Sequence, residues 1–133
     1  MNKTNNKLRV LIIDDMPDII MLLKHFVSKT VRSEIVDAND GLTAIDKLLS
    51  NKPDVIITDL HMPMMTGLEF IGFVVRQKEF EDIPIIIMTT DSDDRTQLTA
   101  AGLKVHTYLS KPFNPNTLTK ALKEVVPQQY FIN

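Results

Sequence analysis

The chain has 133 residues, 44% of them apolar, with a net charge of −2 and no cysteine. That length suits one compact domain with a real core. The charge argues against nucleic acid as a bulk electrostatic partner, and the missing cysteines exclude disulfides, thiolate metal sites and cysteine nucleophiles.

Residues 1–6 are polar and are expected to form a flexible tail. The first strand is expected from Leu8 to Ile13. A helix follows Asp14 and Asp15, with Pro17 suited to its first turn. Its apolar stripe is Ile19, Leu22, Leu23, Phe26 and Val27. Glu34 to Ala38 is a more polar strand, expected at an edge. The second helix takes Asp40 as N-cap and is expected to bury Leu42, Ile45, Leu48 and Leu49.

Asn51 to Asp54 form a turn signal, and the third strand runs from Val55 to Thr58. Thr66 and Glu69 have the spacing of a capping box, which opens the third helix. Its continuation FIGFVV, from Phe70, is apolar nearly all round and is read mainly as core. The fourth strand is expected at Ile85 to Met88 and the fourth helix from about Asp93 to Ala101, with Gly102 just past its end. The fifth strand is His106 to Ser110. The last helix has Asn114 as cap and Pro115 in its first turn. Leu118, Ala121, Leu122, Val125 and Val126 form its inner face. Residues 127–133 are a C-terminal tail that either packs back or continues a longer chain.

These are five βα units in one domain over residues 7–126. The apolar strands imply a parallel sheet covered by helices on both faces. No apolar run approaches the roughly 18 residues of a membrane span. The opening MNKTNNK lacks the apolar stretch of a signal peptide. A cytoplasmic protein with no membrane insertion is expected.

In open α/β sheets, ligands bind beyond the carboxyl ends of the strands. The residues there are Asp14 and Asp15, Asp59, Thr89 and Lys111. Two like charges ~4 Å apart repel by about 4 kcal/mol at an effective dielectric near 20. Three crowded carboxylates therefore call for a compensating cation, and Mg²⁺ suits one or two carboxylates with oxygen ligands around them. With a lysine and a hydroxyl nearby, the set is fit to receive a phosphoryl group. An aspartate can be the nucleophile.

Asp14 and Asp15, then Asp59 with Met62, Pro63 and Gly67, then Thr89, then Lys111, Pro112 and Phe113 resemble the receiver domain of two-component response regulators. The resemblance runs from about residue 7 to 126, and the length is similar to single-domain chemotaxis-type regulators. It implies a flavodoxin-like (βα)5 three-layer sandwich with strand order 2-1-3-4-5. Asp59 would accept the phosphoryl group from a phosphohistidine of a sensor histidine kinase or histidine phosphotransfer protein. Mg²⁺, with Mn²⁺ as a substitute, would be held by Asp15, Asp59 and the His61 backbone carbonyl, and by Asp14 largely through water. Lys111 and Thr89 would contact the phosphoryl group. Thr89 and Tyr108 would act as switch residues. His61, Thr90 and Asp91 would tune the phosphoryl lifetime, and the Lys111–Pro112 bond would be cis. The downstream protein target would bind the face of helix 4, strand 5 and helix 5, with Lys104, Lys120 and Lys123 as charged contacts. The chain would act as a switch, not as an enzyme on a separate metabolite.

Five residues separate Gly102 from Tyr108, two more than the family spacing. Blander readings stand beside these. Asp14 and Asp15 alone could be helix-capping acids. Asp91, Asp93 and Asp94 are read as acids that stabilise the start of helix 4, and His25 and His106 as surface or edge residues. Met62, Met64 and Met65 are read as packing or a soft contact surface rather than a cofactor site. Two rival functions are an aspartate-nucleophile phosphatase and a phosphorylation-independent interaction module. The phosphatase normally has an acid where His61 stands. The module has no use for the full acid, threonine and lysine set.

Overall fold

The structure is a computed structural model that describes residues 7–132 apart from Pro63, Asp91 and Lys104, and the backbone alone of Ser92 and Asp93. The tail expected over residues 1–6 lies outside the described residues. The elements in order are β1 (Leu8–Ile13), α1 (Pro17–Thr30), β2 (Ser33–Ala38), α2 (Gly41–Ser50) and β3 (Val55–Asp59). They continue with α3 (Gly67–Arg76), β4 (Ile85–Thr89), α4 (Ser92–Ala100), β5 (Thr107–Ser110) and α5 (Pro115–Val125). All neighbouring strands pair in parallel in the order β2-β1-β3-β4-β5.

Period-two alternation splits each inner strand between two cores. Val10 and Ile12, Val55 and Ile57, and Ile86 and Met88 pack with Leu23 and Val27 of α1 and with Leu118 and Leu122 of α5. Leu11 and Ile13, Ile56, and Ile85 and Ile87 pack on the other face, with Leu48 of α2, Phe70 and Ile71 of α3 and Leu98 of α4. Each fully buried aliphatic side chain contributes roughly 1.5–3 kcal/mol. Both faces of the inner strands β1, β3 and β4 are thus largely apolar, and their acids stand at the carboxyl ends.

The helix faces differ from expectation in detail. In α1, Ile20 is buried and Leu22 is exposed. In α2, Ala44 and Leu48 are buried while Leu42 and Leu49 lie in solvent. At about 100° per residue, Leu49 sits a quarter turn or more from Leu48, off the narrow face that a short edge helix presents. The caps form as the sequence implies. Asp40 accepts from the Thr43 N–H, Thr66 and Glu69 close a capping box, and Asn114 pairs with Thr117. Gly102 has a φ of +71°, as expected of a residue just past a helix end.

The C-terminal residues pack back. Gln128–Tyr130 form a 3₁₀ turn, Phe131 bridges Val31, and Tyr130 and Phe131 lie against the core shared by α1 and α5. The Arg32 N–H donates to the Tyr130 carbonyl at 2.8 Å. Among the described residues no helix is long and apolar enough to cross a membrane.

One close approach fixes the loop after β3. The Gly67 N–H donates to the Leu60 carbonyl at 2.9 Å. A Cβ on Gly67 would stand 2.6 Å from the Leu60 Cα and 2.7 Å from the Asp59 carbonyl oxygen. These are backbone atoms, so they cannot swing aside. Gly67→Ala is expected to lower unfolding free energy by about 1–3 kcal/mol, as for other overpacked sites. The urea midpoint measures it, and an unchanged midpoint would mean that the loop relaxes at no cost.

Candidate functional site

The β3 and β4 ladders run one residue further than the apolar pattern implies. Asp59 is the last residue of β3, opposite Met88, and Thr89 is the last of β4, opposite Ser110. Asp14 and Asp15 follow β1 directly, and Lys111 follows β5. The Lys111 N–H donates to the Thr89 carbonyl at 2.8 Å, which anchors the lysine beside β4. The parallel register therefore brings these residues to one edge of the sheet.

Ligand oxygens of Asp14, Asp15 and Asp59 all lie within 4.8 Å of one another. Asp14 is fully buried, Asp59 is 7% exposed, and Asp15 faces solvent. Lys111 reaches between two of them, with Nζ 3.0 Å from Asp14 Oδ2 and 3.5 Å from Asp59 Oδ2. Asp14 Oδ1 accepts from the Met16 N–H at 2.8 Å, so both oxygens of that carboxylate are engaged by the protein. The helix-capping role is thus partly real, because Met16 is the N-cap of α1 and has no side-chain cap of its own. Asp59 Oδ1 accepts from the Leu60 N–H at 2.8 Å, and Asp59 Oδ2 faces the pocket.

Three carboxylates against one ammonium leave the pocket with excess negative charge. Burial pushes the Asp59 carboxyl above its ordinary value of 3.8. The neighbouring Lys111 charge and the Leu60 and His61 N–H groups oppose that rise, and the Asp14 charge adds to it. The donor set, three carboxylates with hard oxygens clustered within 4.8 Å, fits a divalent cation of the Mg²⁺ type.

The remaining predicted site residues are placed as follows. The His61 side chain is 65% exposed, and its ring turns to Asp94, with Nε2 3.1 Å from Asp94 Oδ1. Thr89 is buried, and its hydroxyl donates to Asp94 Oδ2. Thr90 is exposed, and Asp91 and Lys104 lie outside the described residues, as does Pro63. Tyr108 sits on β5 opposite Ile87, half-buried, with the Arg95 guanidinium 4.3 Å from its ring centroid. The Lys111–Pro112 peptide bond is cis.

Two features go beyond the sequence reading. Asp94 is 3% exposed and joins Thr89 to His61, where an ordinary helix-start acid was expected. Its spacing from Leu98, four residues apart on one helix face, is the signal that points inward. His106 is exposed beside the edge strand β5, as expected, and what the sequence does not show is that its Nδ1 accepts from the Ile85 N–H at 3.1 Å.

The raised Asp59 carboxyl has a consequence for stability. An acid with a raised folded value holds its proton more tightly folded than unfolded. It subtracts stability when ionised in both states, and the loss fades as pH falls through the folded value and then through 3.8. Asp59→Asn keeps an acceptor for Leu60 and leaves Lys111 to Asp14. In metal-free buffer near neutral pH it is expected to raise the urea midpoint. The gain should shrink to nothing in acid below 3.8. A lower midpoint near neutral pH would mean that the Lys111–Asp59 pair outweighs burial.

The response regulator receiver domain family model matches residues 10–123. A chemotaxis protein CheY homolog of Campylobacter jejuni is 33% identical over 120 residues, covering 90% of this chain and 92% of the relative. Chemotaxis protein CheY1 of Helicobacter pylori is 32% identical over 120 residues, covering 90% of this chain and 97% of the relative. Among solved structures, the chemotaxis response regulator CheY4 of Vibrio cholerae superposes with a TM-score of 0.82 at 34% identity, over 90% of this chain and 99% of that one. Sheet order, acid pocket and sequence agree: the chain belongs to the response regulator receiver domain family.

Proposed function

We propose that the chain is a phosphoacceptor receiver like those of the chemotaxis-type regulators it is similar to. The observation that carries the reading is the Lys111 ammonium held between Asp14 and Asp59, with Asp59 Oδ2 facing the pocket. In the transfer step Asp59 Oδ2 attacks the phosphorus of a phosphohistidine on a kinase or phosphotransfer protein. The P–N bond breaks, the P–O bond forms, and the departing imidazole nitrogen takes up a proton. Lys111 meets the charge on the phosphoryl oxygens, and the Thr89 hydroxyl donates to one of them. Water later attacks phosphorus and releases phosphate, which restores Asp59.

Asp15, Asp59 and the His61 carbonyl would hold Mg²⁺ or Mn²⁺, with Asp14 acting through water because both its oxygens already serve the protein. The cation would neutralise charge shared by the carboxylates and the phosphoryl group. His61, Thr90 and Asp91 would tune the lifetime of the acyl phosphate. The signal would leave through α4, β5 and α5. On that face a groove of about 240 Å³ is lined by Tyr108, Pro112, Thr117, Lys120 and Glu124, a mixed surface suited to a protein target.

Two experiments test this. Thermal unfolding should shift upward in Mg²⁺, because a ligand that binds only the folded state adds about 1.4 kcal/mol at ten times its Kd. No shift at saturating metal would remove the cation from the site. Incubation with acetyl phosphate and Mg²⁺ should add one phosphoryl group by intact mass, and the gain should be absent in Asp59→Asn. A gain that persists in Asp59→Asn would assign the acceptor to another residue, and no gain in wild type would reject the reading.

A further inference from the structure

Asp94 is the third residue of α4 and lies on the same face as Leu98, so one carboxylate and one leucine turn inward from this short helix. Burying a carboxylate is costly unless its oxygens are satisfied. Here Oδ2 accepts from the Thr89 hydroxyl and Oδ1 pairs with the His61 ring. The next residue, Arg95, lies over the ring of Tyr108 at 4.3 Å. One turn of α4 therefore grips the threonine at the end of β4 and the tyrosine on β5.

A threonine hydroxyl has a single proton to donate. In the resting protein Asp94 accepts it. A phosphoryl oxygen on Asp59 would compete for the same proton. We infer that Asp94 is a resting-state latch: it holds the Thr89 proton until phosphorylation withdraws it, and the loss loosens the first turn of α4. Deprived of its donor, the buried carboxylate gains by moving toward water. That movement carries Arg95 off the ring of Tyr108. Asp94 is a positioning residue that acts through Thr89, and it sets how readily the phosphoryl signal reaches the α4, β5 and α5 face. The latch rests on the receiver reading and adds to it a residue that regulates the same site.

The test uses the full chain with beryllium fluoride, a stable stand-in for the phosphoryl group, in Mg²⁺ buffer. Asp94→Ala is expected to bind beryllium fluoride about tenfold tighter than wild type, because the resting state no longer holds a charge-assisted bond that must break. In a Thr89→Ala background the same substitution should change affinity by less than about twofold, since coupled residues are non-additive. The chain has two tyrosines, so the ring resonances of Tyr108 are readable. In Asp94→Ala without beryllium fluoride they should move toward their positions in the bound wild type. Asp94→Asn keeps the shape and an acceptor without the charge, and it gives an intermediate gain if the alanine variant fails to fold. Folded Asp94 variants that bind no tighter than wild type, or a gain that survives in Thr89→Ala, overturn the latch. The receiver reading is judged separately. A wild type that takes a phosphoryl group from acetyl phosphate while Asp94 variants bind unchanged loses the latch alone. A wild type that takes none loses both.

Discussion

The ammonium of Lys111 lies within salt-bridge distance of two carboxylates that come from different strands. Asp14 is carried by the end of β1, Asp59 by the end of β3, and the lysine by the end of β5. They meet because the strands run parallel and in register across the middle of the sheet. A one-residue slip of β3 would turn Asp59 to the opposite face and replace it with Thr58 or Leu60. Close packing on both faces resists such a slip, since Ile56 and Ile57 would each have to fill the other's core. Packing of uncharged side chains thus fixes the positions of charged ones.

That arrangement is poised rather than relaxed. One positive charge cannot neutralise three negative ones, and the least solvated of them, Asp14, has both oxygens taken. The surplus falls on Asp59, whose Oδ2 stands 3.5 Å from the lysine, and on the exposed Asp15. Buried polar networks that are fully satisfied tend to be rigid, and those that are partly satisfied respond to what arrives. The acid pocket belongs to the second kind. The Thr89, Asp94 and His61 chain beside it is satisfied at rest, and Thr89 stands where the two meet at the end of β4.

The sequence makes the strands legible because apolar runs that end on acids have few alternative explanations, and their order in the chain matches their place in a parallel sheet. The caps at Asp40, Thr66 and Asn114 are equally readable, being local chemistry over three or four residues. Helix faces are less so. Leu22, Leu42 and Leu49 satisfy a broad apolar stripe, but the sheet accepts a narrower one, and only packing decides which leucines lose. Asp94 is hardest to read. Three aspartates stand near the start of α4, and which of them turns inward depends on the rotation of a helix with a single buried leucine among its described residues. The four-residue spacing from Leu98 points to Asp94, but a rotation set by so little apolar area is decided by tertiary packing. His106 escapes for a similar reason, since a ring that accepts a strand N–H cannot be inferred from composition.

The bridge between Val31 and Phe131 gives the molecule a polarity of handling. It fastens the chain beside the amino ends of β1 and β2, where the Leu8 N–H meets the Arg32 carbonyl, while the acid pocket opens at the opposite edge. A dye, a bead or a biosensor surface coupled beyond Ile132 would therefore stand on the far side of the sheet from Asp59. Immobilised that way, the protein leaves the mouth of the acid pocket turned toward solution.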